Sequence, residues 1–290
     1  MKISETLEKR ATLSFEVFPP KDDGSLAPLE ETLRKLAGYK PDFVSITYGA
    51  GGTNVGRSVD VCRMALGMGH AVMPHFTCIG NTRDGIASFI GPYLDLGIEN
   101  LLLLRGDLPE GWTGTRGDFT HASELIAFFE ESYPGLCLAA AAYPEVHIES
   151  QTAEEDVRYL RLKQDLGASF FLTQLCHDVT AYERFRERLA AAGVTIPVVI
   201  GLMPILSRAG TIRMSLSNGV SIPADLAAIC GRYEKDEESF RKAGMEFTVG
   251  LIERYIAAGI DGLHLYTLNR HEDVSTILDS IDLIGFRKEK

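Results

Sequence analysis

Short apolar runs alternate with longer stretches whose apolar residues recur every three or four positions, and the alternation persists along the whole chain. The short runs predict strands at TLSFEVF (Thr12–Phe18), DFVSITY (Asp42–Tyr48), AVMPHFTC (Ala71–Cys78) and NLLLLR (Asn100–Arg105). Further strands are expected at LCLAAAAY (Leu136–Tyr143), SFFLTQL (Ser169–Leu175), IPVVIGL (Ile196–Leu202) and DGLHLYT (Asp261–Thr267). The amphipathic stretches between them predict helices, among them Leu26–Ala37, Val55–Gly67, Thr82–Leu96, Ala153–Leu166 and Ala181–Ala192. Strands that are apolar at nearly every position are covered on both faces, which is the habit of parallel sheets flanked by helices. Thr152 and Glu155 make a plausible capping box at the start of one helix.

Eight such units in 290 residues predict a single-domain α/β protein, a (β/α)8 TIM barrel over residues 1–290. An open doubly wound sheet is the alternative. Against it, no GxGxxG follows a strand, GAGGTN (Gly49–Asn54) fails at its last position, and no GxxxxGK[ST] loop occurs. Between strands seven and eight, from Ser207 to about Gly259, there is room for extra helices, with YEKDEE (Tyr233–Glu238) as a solvated turn.

In such a barrel, chemistry collects where strands end and βα loops begin. Polar residues concentrate there: Glu16, Thr47-Tyr48, His75 and Thr77, Arg105-Gly106-Asp107, Tyr143 with Glu145 and His147, Thr173-Gln174, and Tyr266 with Asn269 and Arg270. Glu16 lies between phenylalanines, where a carboxylate is costly unless paired or protonated. Its pKa is therefore expected to be raised, as suits a general acid, although a core ion pair with an arginine would also explain it. His75 alone reads equally as a hydrogen-bonded core residue. Gln174 could read a heterocycle edge or cap a strand, and Arg270 could grip a carboxylate or sit on the surface. Asp156 and Lys163, seven residues apart, share a helix face. No HExxH, nucleophile elbow or Ser-His-Asp order is present, and His75/Cys78 lack partners for a metal, so none is expected.

Composition narrows the partners. With 29 basic and 40 acidic residues the net charge is −11, which disfavours nucleic acid and anionic membranes. An anionic ligand must be met by a local basic cluster. The N-terminus has no signal core, and no apolar run approaches the ~20 residues of a membrane span. Five scattered cysteines (Cys62, Cys78, Cys137, Cys176, Cys230) suggest free thiols in the cytoplasm.

The segments SFEVFPPK, VSITYGAGGT, HFTC, LLLLRGDLP, AAYPEVH, FFLTQ and LHLYTLNR occur in the order and spacing of bacterial methylenetetrahydrofolate reductases, and the chain resembles that family from Leu13 past Arg270. With nothing after Lys290 for the regulatory domain of eukaryotic relatives, the resemblance suggests the catalytic barrel alone. It implies an FAD-dependent enzyme of one-carbon metabolism and methionine biosynthesis that forms 5-methyltetrahydrofolate. NADH or NADPH would reduce the flavin and leave before methylenetetrahydrofolate takes its place. By motif position, Glu16 would be the general acid that opens the methylene bridge, and Asp107 would lie by the flavin ring. Thr47, His75, Arg105, Gly106, Ala141, Tyr143, Asp156 and Lys163 would line the FAD, Lys163 at its pyrophosphate. Gln174 would bind the pterin, with Arg270 and Met214 at the shared folate and nicotinamide site. A negative charge near the flavin would make it a better donor and steady positive charge on the folate.

The sequence departs from the family at Leu175-Cys176-His177, where relatives carry phenylalanines, and at Met214, where they carry an aromatic. Both departures lie on the donor and folate side, so the electron source stays open between nicotinamide and a redox partner subunit or ferredoxin. A pterin-binding barrel that transfers methyl groups to a corrinoid is a third reading. A homo-oligomer is expected.

Overall fold

The computed structural model describes residues 1–20, 24–47, 55–108 and 111–289, the side chains of 55 and 56 excepted. The eight predicted strands are all present: β1 (Thr12–Val17), β2 (Phe43–Ile46), β3 (Val72–Thr77), β4 (Asn100–Leu104), β5 (Cys137–Ala142), β6 (Ala168–Thr173), β7 (Val198–Leu202) and β8 (Gly262–Tyr266). Each pairs in parallel with its sequence neighbours, and β8 returns to β1, so the sheet closes into a barrel and the open-sheet alternative is excluded. The five predicted helices appear within two residues of their expected ends: α2 (Ala27–Leu36), α3 (Val55–Gly67), α4 (Arg83–Asp95), α6 (Ala153–Asp165) and α7 (Val179–Ala191). Between α4 and α6 lies α5 (Ala122–Ser132). The expected insertion holds α8 (Arg208–Ser217), α9 (Ala224–Arg232) and α10 (Glu237–Ala257); Tyr233–Lys235 form the turn, and Asp236 caps α10 by accepting from the Ser239 N–H. Two short helices, α11 (His271–Leu278) and α12 (Leu283–Phe286), finish the chain.

Period-two alternation sorts the strand residues. Phe15, Phe76, Leu101, Phe171 and Leu263 face outward into the main core, where Phe76 meets Tyr93 of α4 and Phe129 of α5 edge-on. Phe43, Met73, Leu102, Ala139, Phe170, Leu172 and Val199 face inward and fill the lower barrel. The N-terminal helix α1 (Ile3–Lys9) adds Ile3 and Leu7 to that inner cluster and plugs the bottom. Its pattern is only two apolar residues four apart, too brief to stand out in the sequence. Asn100, at the start of β4, fastens it by accepting from the Ile3 N–H at 2.8 Å and donating to the Met1 carbonyl at 3.1 Å. Nearby, Asp42 accepts from the Leu13 N–H at 2.8 Å and pairs with both Arg10 and Arg287, tying the two chain ends together.

Candidate functional site

Above the apolar plug, the same inward positions turn polar. Ser14 and Glu16 on β1, Ser45 on β2, His75 and Thr77 on β3, and His264 and Tyr266 on β8 face the upper barrel. A cavity of about 620 Å³ opens there, extending from Glu16 past the β4 exit toward α6. The Glu16 Oε2 atom is 3.3 Å from His75 Nε2, 3.7 Å from His264 Nε2 and 3.5 Å from the Ser45 hydroxyl, which donates to it. Burial pushes the Glu16 carboxyl up, as its apolar flanks suggested. The imidazoles of His264 and His75 outweigh burial and hold it at about 2, so the raised pKa expected for Glu16 is corrected. Among the described residues no arginine pairs with it; the partners are histidines, one of them fully buried.

The strand β4 ends in the Arg105-Gly106-Asp107 corner. Gly106 has φ +88°, and a Cβ there would come within 3.0 Å of the Thr77 Cβ, so the backbone must be glycine to pass this close to β3. Arg105 forms a two-pronged ion pair with Glu149, while Asp107 stands at the exposed rim of the cavity. Among the described residues the Thr77 hydroxyl is buried without a hydrogen-bond partner, and His75 Nε2 has its 3.3 Å contact with Glu16.

The β5 exit and α6 build the far wall. Thr152 caps α6 by accepting from the Glu155 N–H at 3.1 Å, and Glu155 reaches back to the Gln151 N–H at 2.9 Å, one residue beyond the expected box. This start puts Asp156 and Lys163 on the helix face that lines the cavity. Asp156 is 8% exposed and accepts from the His147 N–H and the Ser150 hydroxyl. Lys163 donates to the Ala141 carbonyl at 2.9 Å; burial lowers its pKa to about 8 against the pull of Asp156. Tyr143, its phenol raised to about 12 by burial, meets the His147 ring edge-on at 4.5 Å.

Opposite, Gln174 follows β6. Its carbonyl accepts from the Leu175 N–H at 2.8 Å and its amide donates to Asn218 Oδ1 at 3.0 Å; Asn218 in turn donates to the Met214 carbonyl. Gln174, Leu175, Met214 and Asn218 all line the cavity. Of the departing residues, Cys176 and His177 instead lie in the protein interior. His177 Nε2 sits 3.2 Å from the Ser215 hydroxyl of α8, and burial lowers its pKa to about 4. The Tyr266 hydroxyl spans the barrel to donate to the Thr173 carbonyl at 2.6 Å, a path open because Gly201 has no side chain.

The cavity thus gathers Glu16, His75, Arg105, Gly106, Asp107, Ala141, Tyr143, Asp156, Lys163, Gln174 and Met214. Two predicted site residues are not among its described lining residues. Thr47 ends β2 just before residues 48–54, which with Pro109 and Glu110 fall outside the described residues, and it is not among the described lining residues. Arg270 is exposed at the start of α11, 3.9 Å from Asp273, and does not reach the cavity. The sequence reading overlooked His264, Ser45, Glu149 and Asn218. His264 was recoverable, since it stands two residues before Tyr266 and shares its inward face; Asn218 and Glu149 carried no local signal. Among the described residues no helix is long and apolar enough to cross a membrane, and no group of three or more His, Cys, Asp or Glu could hold a metal.

Eight parallel strands closed on themselves, with a polar cavity beneath the C-terminal loops, make this a TIM barrel with the site architecture of that class of enzymes. The methylenetetrahydrofolate reductase family model matches residues 2–282, and the chain belongs to that family. It is 32% identical to the 5,10-methylenetetrahydrofolate reductase of Escherichia coli K12 over 267 residues, 92% of this chain and 89% of that protein. Methylenetetrahydrofolate reductase 1 of Schizosaccharomyces pombe is 31% identical over 98% of this chain, and methylenetetrahydrofolate reductase (NADH) 1 of Arabidopsis thaliana 32% over 98%. The chain spans about half the length of these two relatives, 49% and 50%. Among solved structures, an uncharacterized Clostridium thermocellum protein that binds two copies of 5-methyl-5,6,7,8-tetrahydrofolic acid superposes with a TM-score of 0.68 at 13% identity, covering 96% of each chain, a likeness of fold.

Proposed function

We propose that the protein reduces 5,10-methylenetetrahydrofolate to 5-methyltetrahydrofolate with FAD as cofactor and a reduced nicotinamide as electron source. Family membership supports the reaction, and the NADH in the name of the Arabidopsis relative supports the donor. The observation that carries the reading is the placement of Glu16, Asp107 and Gln174 around one cavity whose far wall holds the half-buried Lys163.

The residues fit FAD. Glycine at 106 lets the β4 exit pack closely on β3 at the cavity's edge, and the Thr77 hydroxyl, which has no partner among the described residues, offers a ring there a hydrogen-bonding position. Burial disfavours the Lys163 ammonium more than Asp156 supports it, so a pyrophosphate anion would add the counter-charge that keeps it protonated, with Arg105 on the same cavity. When bound, FAD would take a hydride from the nicotinamide and pass it to the folate methylene carbon.

Gln174 would exchange its bond with Asn218 for the pterin edge. Met214 and Leu175 would pack on the ring and exclude water. Asp107 would lower the energy of positive charge developing on the folate as its bridge opens. Glu16 would give the proton to the folate nitrogen that leaves the bridge. Rings stacked over the cavity would strip the carboxylate of its remaining solvent contact, raising its proton affinity at the moment it is needed.

Anaerobic stopped-flow spectroscopy tests this. NADH should bleach the yellow protein, and methylenetetrahydrofolate should restore the colour. Glu16→Gln should keep the bleaching while recolouring slows by about 10²-fold or more. Protein purified without flavin absorbance, and unable to take up FAD, would refute the reading. Bleaching by reduced ferredoxin but not by NADH would replace the nicotinamide with a protein donor, the change to which Met214 and Leu175 are most relevant.

A further inference from the structure

Beyond the residues that border the cavity, one buried group bears directly on its chemistry. His264 is 0% exposed, at the middle of β8. Its ring stacks on Phe43 with centroids 5.9 Å apart at 14°, and meets Tyr266 edge-on at 5.4 Å. Nδ1 lies 2.8 Å from the Ser14 hydroxyl, whose contact with the Leu263 carbonyl is longer, at 3.4 Å. The hydroxyl therefore donates to Nδ1, and Nε2 carries the ring hydrogen and turns it toward the site, where Ser45 passes its own hydrogen on to Glu16. That nitrogen is 3.3 Å from the Ser45 hydroxyl and 3.7 Å from Glu16 Oε2.

We infer that His264 is a positioning residue for Glu16: locked by Ser14 and Phe43, it fixes the carboxylate at the barrel axis and, with Ser45, makes its protonation depend on a buried imidazole. Three features support this. A histidine deep in an apolar interior costs stability unless its polar atoms are used, and both nitrogens here are directed at partners. The ring cannot rotate away, because Phe43 and Tyr266 hold two of its sides. Among the described residues Glu16 has no arginine or lysine neighbour that could replace the interaction: the titratable groups facing it are His75 from β3 and His264 and Tyr266 from β8, with the Ser45 hydroxyl from β2. Tyr266 is itself tied to the Thr173 carbonyl and faces Tyr143 across the cavity, so it is not free to take over the role.

The pairing stands without reference to activity; only its consequence for turnover rests on the reading of Glu16 as proton donor. The test is carbon-13 NMR of the purified protein labelled at glutamate side-chain carboxyls, with the Glu16 resonance assigned by its loss in Glu16→Gln. In His264→Asn, which keeps a group for Ser14 but withdraws the one facing Glu16, the carboxyl midpoint should rise by one pH unit or more, a tenfold or greater gain in proton affinity. Ser14→Ala leaves the ring in place and releases its anchor, and should move the midpoint in the same direction by about threefold. That variant also covers the case in which His264→Asn does not fold. An unchanged midpoint in a folded His264→Asn protein, or in Ser14→Ala should it alone fold, overturns the inference.

The flavin-loaded protein then separates the two readings. The pH profile of methylenetetrahydrofolate reduction should shift in His264→Asn by the amount the carboxyl midpoint shifts. A moved carboxyl with an unmoved profile would keep the pairing and remove Glu16 as the proton donor.

Discussion

The barrel interior is two chambers built by one rule. Below, the inward positions of the strands carry Phe43, Met73, Leu102, Phe170 and Val199, closed off by Ile3 and Leu7. Above, the same alternation, one or two steps further along each strand, brings Ser45, His75 and Glu16 to the axis. On β2 the change takes two residues, from Phe43 to Ser45, and on β3 from Met73 to His75. The lower chamber stabilises by removing apolar surface from water. The upper one forgoes that gain and holds a carboxylate and two imidazoles in each other's reach. A barrel can support such a site because close-packed side chains directly beneath it fix the strands that carry it.

The largest effect should come from breaking the lower chamber. Phe170→Ala removes a fully buried ring at its centre and should cost about 3–5 kcal/mol in urea unfolding. A loss under about 1 kcal/mol would mean the plug is not what holds the strands.

Next is the acid sensitivity of the upper chamber. The Glu16 carboxyl is held at about 2, below its ordinary 4.5, so its ionised form stabilises the fold above pH 4.5, and this is lost as pH falls toward 2. The stability gap between wild type and Glu16→Gln should narrow by about 2 kcal/mol between pH 5 and 3. A gap that stays constant would show that the imidazoles do not hold the carboxylate.

The smallest effect lies at the rim. Gly106→Ala forces a side chain onto φ +88° against Thr77 and should cost about 1–2 kcal/mol, together with weaker flavin retention. Full retention of both would place the ring elsewhere than at this corner.

The difference between the chambers was partly written in the chain. A glutamate inside SFEVF and a histidine inside LHLYT break otherwise apolar strands, and period two alone puts both on the inner face. The RGD corner after four leucines was equally plain, and so was the α6 face that carries Asp156 and Lys163. The fate of Arg270 was not, because a residue just past a strand turns inward or outward according to the loop it enters. Here it starts α11 and lies beside Asp273 instead of the cavity.

By itself, then, the sequence determined eight strands, their helices, the faces of each and the mouth where polar residues gather, since all of these follow from local periodicity. Tertiary structure decided what meets what. Ring closure set Ser14, Glu16 and His264 side by side across about 250 residues of chain, with separations of 250 between Ser14 and His264. It put Asn218 against Gln174, lodged α1 in the barrel floor, and turned the expected raised pKa of Glu16 into a lowered one. A carboxylate's proton affinity is fixed by the charges within a few ångströms of it, and no local pattern in the chain specifies which those will be.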